Sequence, residues 1–306
     1  MVNKRIEIVI IYSLDYIYTN LKKKSPTNFT FAQALKNLIK HISIIALLIA
    51  CITCDTNSRE IKLKNDNWKK FKTIRLDQVL TNSKNIEDIH QQFIKYPQLY
   101  YNFYTNMIRA GKKEDVLVTN LSDSVKLNLE TFINDSIIRN FLIEIQEEFP
   151  DFENYKIEIA KGLNRCESIF KYRYPKREIG TFFSLFNADV HEFDSIIWIG
   201  LDMYLGADNK ITKLIPNESL PQYIKDKMDK KYIVSDVLFG HLMTHHYQYL
   251  GDDFLSKAIA YGKITYLMEL ILPHQQKENK FRYSKKELDW CQKNEKYIWQ
   301  YIVDQE

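Results

Sequence analysis

Glycine and proline are scarce, with eight Gly and seven Pro in 306 residues. That excludes a collagen-like chain and a Pro/Gly linker protein. Four cysteines are too few for a disulfide-dense scaffold. No uncharged apolar run reaches the roughly 18 residues of a spanning helix, so a polytopic membrane protein is excluded. The glycines stand singly along the chain. Missing with them are G-x-S-x-G, G-x-x-x-x-G-K and G-x-G-x-x-G, and hence a nucleophile elbow or a phosphate-cradling loop. Cys51-x-x-Cys54 has the spacing of a redox pair, but no second Cys-x-x-Cys accompanies it, and the lipobox described below claims Cys51.

Aromatic residues, by contrast, are plentiful. Twenty Tyr and 17 Phe argue against wholesale disorder and for a sizeable core. The formal net charge of +4 is concentrated at the N-terminus. Residues 1–50 hold seven of the 43 basic side chains and two of the 39 acidic ones, which leaves 36 and 37 for the rest. That near-neutral balance gives no argument for nucleic acid as a partner.

Residues 1–50 have the pattern of a leader. A basic patch, Lys36 to His41, precedes the apolar run 42–50, and Leu48-Ile-Ala-Cys51 follows. A basic region, a short apolar region and a small residue before the cut describe a secretory signal. Leu-x-Ala-Cys resembles the bacterial lipobox, whose Cys receives the lipid and becomes the new N-terminus. Cys51 is therefore the expected lipidation site. Residues 1–35 carry a further apolar segment, 6–11, ahead of the signal. The expectation is a start near Leu35 from an unusual codon, with a genuine extension as the alternative. Residues 55–67 are polar and aperiodic, and 51–67 is expected to be a lipidated tether. The globular domain is expected over 68–306.

Within that domain most of the apolar spacing is helical. Helices are expected after Asn85, from Pro97 to Gly111, from Asp123 to Phe132, after Asn134 or Asp135, over 155–170 (as a helix or a helix–strand junction), over 224–237 continuing through 241–249, over 254–272 as a buried helix, and from Ser284 or Lys285 onward. Two strands are expected, 179–186 and 195–201. The second is a continuous apolar run that suits burial on both faces. The fold class is α+β, predominantly helical, with a small central sheet. Cys166 and Cys291 pair or remain thiols; spacing does not decide.

Two segments carry candidate chemistry. Asp202, Tyr204 and Gly206 follow the apolar strand, where a carboxylate would be held rigidly and half exposed. The alternative is an Asp that binds loop N–H groups. His241 and His245 stand at i and i+4, the zinc-binding half of His-Glu-x-x-His. The base position next to the first His is Leu242. The stretch 258–262, where a third ligand on the next helix would be sought, has no carboxylate, and Glu269 lies further along. The expectation is weak zinc binding without hydrolysis, and no cofactor.

From Gly200-Leu-Asp202-Met-Tyr204-Leu-Gly206 outward, the chain resembles the gliding motility-associated lipoprotein GldB family. Arg75-Leu-Asp77, Tyr96-Pro97, Pro221-Gln-Tyr223, Tyr232-Ile-Val-Ser-Asp236, Leu255 to Lys263, Leu272-Pro273 and Trp290 with Asn294 to Trp299 agree in order. The resemblance adds Asp236 to the motif of Asp202, Tyr204 and Gly206. It implies a lipid-anchored envelope protein facing the periplasm, required for gliding and linked to type IX secretion. Its implied partners are other motility or secretion proteins of the envelope. It implies no established enzymatic activity, and it implies a distant, degenerate likeness to zincin-type metallopeptidases. A periplasmic metal-dependent peptidase is the rival reading. A glycan-binding protein using the aromatics is a weaker third.

Overall fold

In a computed structural model, residues 71–83, 85–105, 113–174, 178–193 and 195–305 are described. The expected leader, Cys51 and the tether lie outside the described residues, as does Gly111. All the described residues belong to one unit, Leu63–Glu306.

Four strands make one sheet: β1 (Thr73–Arg75), β2 (Glu178–Phe182), β3 (Val190–Phe193) and β4 (Ile196–Gly200). Their spatial order is β1-β2-β4-β3. The pairs β1–β2 and β2–β4 are parallel, whereas β3 runs antiparallel to β4 on the far edge. All five residues of β4 are buried, as a central strand covered on both faces requires. Gly180 pairs with Trp198 in the sheet, and a Cβ at Gly180 would lie 2.2 Å from the Trp198 ring. Only a glycine lets that indole lie across β2. Gly180 is thus inside its strand rather than at its boundary.

The sequence pattern missed β1 and β3. Both are short, three and four residues, and every residue in each is only partly buried. Neither has the long apolar alternation that marks a strand. The hairpin from β3 to β4 turns through Ser195 at φ 62°, pairing Phe193 with Ile196.

Helices cover the sheet. The main ones are α1 (Leu76–Asn82), α2 (Ile86–Phe93), α3 (Asp123–Asn134), α4 (Ser136–Glu148), α5 (Glu153–Phe170), α6 (Ile233–His246), α7 (Phe254–Ile271) and α8 (Lys285–Gln305). Caps set several starts. Asn85 accepts from Glu87 N at 2.9 Å, and Asp135 accepts from Ile137 N and Ile138 N. The cap of α3 is Ser122, not Asp123: Ser122 Oγ accepts from Val125 N at 3.4 Å. Ser284 and Glu287 form a reciprocal capping box at the start of α8. After Pro97–Leu99 the chain continues as a π-helical turn, Tyr100–Tyr104.

The expected helix over 224–249 is broken. A short helix, Gln222–Lys225, and a 3₁₀ turn, Lys230–Tyr232, precede α6. α7 is not buried all round. Ala260, Ile264, Met268 and Ile271 face the core, while Phe254, Ile259 and Leu270 are exposed. α6 packs on α5, α7 and β3. That packing brings the end of α6 to the antiparallel edge of the sheet.

Candidate functional site

Asp202 sits in the 3₁₀ turn Leu201–Tyr204 that follows β4. It is fully buried rather than half exposed. Its carboxylate accepts from Ser184 N and Ser184 Oγ, both at 2.8 Å, and from Phe186 N. The loop it holds passes through Leu185 and Phe186, both in the left-handed region at φ 56° and 57°. Two successive non-glycine residues there are unfavourable by themselves. Asp202 therefore works as the anchor of that loop. Burial pushes its carboxyl up to about 6, opposed by the hydrogen bonds from Ser184 and Phe186.

Two residues on, the buried Tyr204 hydroxyl donates to Asp236 Oδ2 at 2.9 Å. Asp236 lies in the first turn of α6, where the helix dipole favours a carboxylate. The Arg282 guanidinium stands 3.3 Å from Asp236 and 3.8 Å from Asp189, and also donates to Lys227 O at 2.6 Å. Burial pushes the Asp236 carboxyl up to about 7, against the opposing pull of Arg282 and the Tyr204 hydroxyl. Gly206 turns the chain at φ 94°, a conformation that L side chains rarely adopt. The structure thus joins Tyr204 with Asp236 and buries Asp202 beside them in sequence. These residues form an internal scaffold that fixes the β4–α6 connection. Arg282 completes it, and no spacing in the sequence pointed to it.

The histidines gather elsewhere, at the C-terminal end of α6. His241 is buried and His245 is partly exposed on the same helix face. Glu192 of β3 meets both. Its Oε2 is 3.4 Å from His241 Nδ1, and its Oε1 is 3.0 Å from His245 Nε2. One donor atom from each of the three lies within 4.8 Å of the others. The carboxylate sought on the next helix therefore comes instead from the edge strand. Glu269 is occupied elsewhere, 2.8 Å from Lys280 and 3.7 Å from Lys277. Sequence reasoning missed Glu192 because β3 itself was missed. Its only signal is that it is one of three acids, Asp189, Glu192 and Asp194, just ahead of the strongest strand.

Aromatic rings wall the cluster. Tyr174 lies edge-on to His241 with ring centroids 4.6 Å apart, and its hydroxyl bonds His246 Nε2. Phe170 stacks on His246 at 3.6 Å between ring centroids. Burial, with the neighbouring His241 and His245, brings the His246 imidazole down to about 4. His246 is therefore neutral at neutral pH. Leu242, at the position of a catalytic base, is buried and apolar. No disulfide joins Cys166 and Cys291: Cys166 is buried in α5, while Cys291 is exposed on α8.

A family model described as gliding motility protein GldB matches residues 56–306. The chain belongs to that family. No curated protein and no solved structure matches it.

The GldB-family match spans every element of the sheet and all eight helices, and so both clusters. As a GldB-family member the chain is associated with gliding motility. Among the described residues no helix is long and apolar enough to cross a membrane. The GldB-family match also takes in α8, which differs from every other long helix. Over Lys285–Gln305 none of its described side chains is buried. It presents Trp290, Tyr297, Trp299 and Tyr301, each more than half exposed.

Proposed function

We propose that this chain is an envelope lipoprotein of the gliding machinery that acts by binding partner proteins, not by catalysis. Cys51 carries the lipid, and the domain faces the periplasm. Its partners are other motility proteins or components of type IX secretion. The observation that carries the reading is α8. None of the described side chains of this 21-residue helix is buried, so the core of its own domain gives it little packing. Large aromatic residues on such a helix are the residue types that anchor protein interfaces. Partner binding supplies the packing that the helix lacks.

The candidate catalytic groups support the same reading. Asp202 is buried and fully engaged with its loop. A zinc peptidase needs a base that takes a proton from metal-bound water, and Leu242 cannot. In-cell photo-crosslinking tests the proposal. A photoreactive residue at Tyr297, 73% exposed, should capture an envelope protein in gliding cells. The same probe at Tyr223, 70% exposed on a different segment, should not. Equal labelling from both positions would remove the support.

The second reading, a periplasmic metal-dependent peptidase of zincin-like descent, draws on one observation. An antiparallel edge strand lies beside the His-bearing helix and places a carboxylate on it. Chelator-sensitive proteolysis that disappears in His245→Ala would favour that reading.

A further inference from the structure

Glu192, His241 and His245 come from two elements that are far apart in sequence and are packed together in the fold. Two imidazoles and one carboxylate is a donor set suited to zinc and its neighbours. It is a poor set for calcium or magnesium, which take oxygen ligands. Glu192 Oε1 is 3.0 Å from His245 Nε2 and its Oε2 is 3.4 Å from His241 Nδ1, so each carboxylate oxygen faces one imidazole. In a tetrahedral site with 2.0–2.1 Å bonds, neighbouring donors stand about 3.3 Å apart. One donor atom from each of the three residues lies within 4.8 Å of the others. Reaching tetrahedral spacing requires the outer ligand, His245, to move inward, and it is partly exposed.

We propose that Glu192, His241 and His245 bind a divalent transition-metal ion of the zinc class, pinning the edge strand β3 to the end of α6. His241 supplies the buried ligand and His245 the outer one. Tyr174, edge-on to both rings at 4.6 and 5.5 Å, holds their orientation. Three protein ligands leave a fourth position for water. Glu192, the carboxylate beside both histidines, is used as a ligand. Leu242 offers no proton acceptor, so the ion braces the fold and hydrolyses nothing.

Zinc itself is the probe, added to the purified full chain in detergent and followed by dialysis and metal analysis. The expected result is about one zinc retained per chain, with a higher thermal midpoint, since an ion that binds only the folded state stabilises it. Cobalt in place of zinc should give the visible absorption of a tetrahedral ion. His245→Ala and Glu192→Gln should each weaken binding by more than the about 10–100-fold that losing an outer-shell partner costs. Glu192→Gln keeps the shape of the side chain, and His245 is partly exposed, so both variants should fold. Two results would overturn the proposal. One is no retained zinc and an unmoved midpoint, which would leave only an ion pair between Glu192 and the histidines. The other is zinc retained equally by the wild type and both variants, which would place the ion elsewhere on the chain.

Discussion

The Tyr204 hydroxyl donates to Asp236 Oδ2 at 2.9 Å and so ties the turn after β4 to the first turn of α6. The Tyr204 side chain is buried in the core, and the Asp236 side chain is only 10% exposed. Tyr204→Phe keeps the ring and removes one donor from a buried carboxylate. The expected cost is about 1–3 kcal/mol, measured by urea unfolding. An unchanged midpoint with an unchanged slope would show that the bond contributes nothing.

Asp236 also gives the protein a pH dependence. Its folded carboxyl is raised from 3.8 to about 7, so the native state holds the proton more tightly than the unfolded chain does. The stabilisation is fully present below about 4 and is lost as pH rises through about 7. Asp202, raised to about 6, acts in the same direction over a narrower range. Unfolding free energy should therefore decline from pH 4 to pH 7.5. Asp236→Asn should flatten the part of the decline above pH 6. A variant with the wild-type slope would contradict the assignment.

Asp202→Asn should lower stability by about 1.5–3 kcal/mol, because an amide replaces the charged acceptor of three hydrogen bonds. Loop 184–186, with Leu185 and Phe186 at positive φ, should loosen first. Hydrogen exchange at the Ser184 and Phe186 amides reports this directly. A loss of gliding with full stability and unchanged exchange would instead make Asp202 a contact residue.

The main helices and the central strand were legible because each leaves a long periodic trace. Asp135 at a cap, Pro150 after α4 and the apolar run of β4 are local signals. Glu192 was not legible. It lies on a four-residue edge strand, and its partners are 49 and 53 residues away. Arg282 was equally hidden, since its link to Asp236 spans 46 positions and follows a turn at φ 56°. The exposure of Asp202 was misjudged for a related reason. A strand end usually opens to solvent, but here the β2–β3 loop folds over it and presents its own N–H groups. The family resemblance set Asp236 in one motif with Tyr204, but neither it nor spacing pointed to the bond between them.

Cys51→Ser removes the thiol that lipid modification needs. The variant should remain unprocessed or leave the membrane fraction, since stable anchoring takes more than one acyl chain. Fractionation followed by mass spectrometry of the N-terminal peptide checks it. Normal membrane retention of the variant, or a mature peptide from before Cys51, would contradict lipidation at this position.

The central claim is that the exposed face of α8 binds a partner. Its most direct test replaces Trp290, Tyr297 and Trp299 with Ala together and measures gliding alongside crosslinking from Tyr301. These side chains are 58%, 73% and 58% exposed, so the fold and its unfolding midpoint should be almost unchanged. The expected result is loss of the crosslinked partner and loss of gliding in a stable, membrane-bound protein. A triple variant that glides normally and keeps its crosslinks would contradict the account.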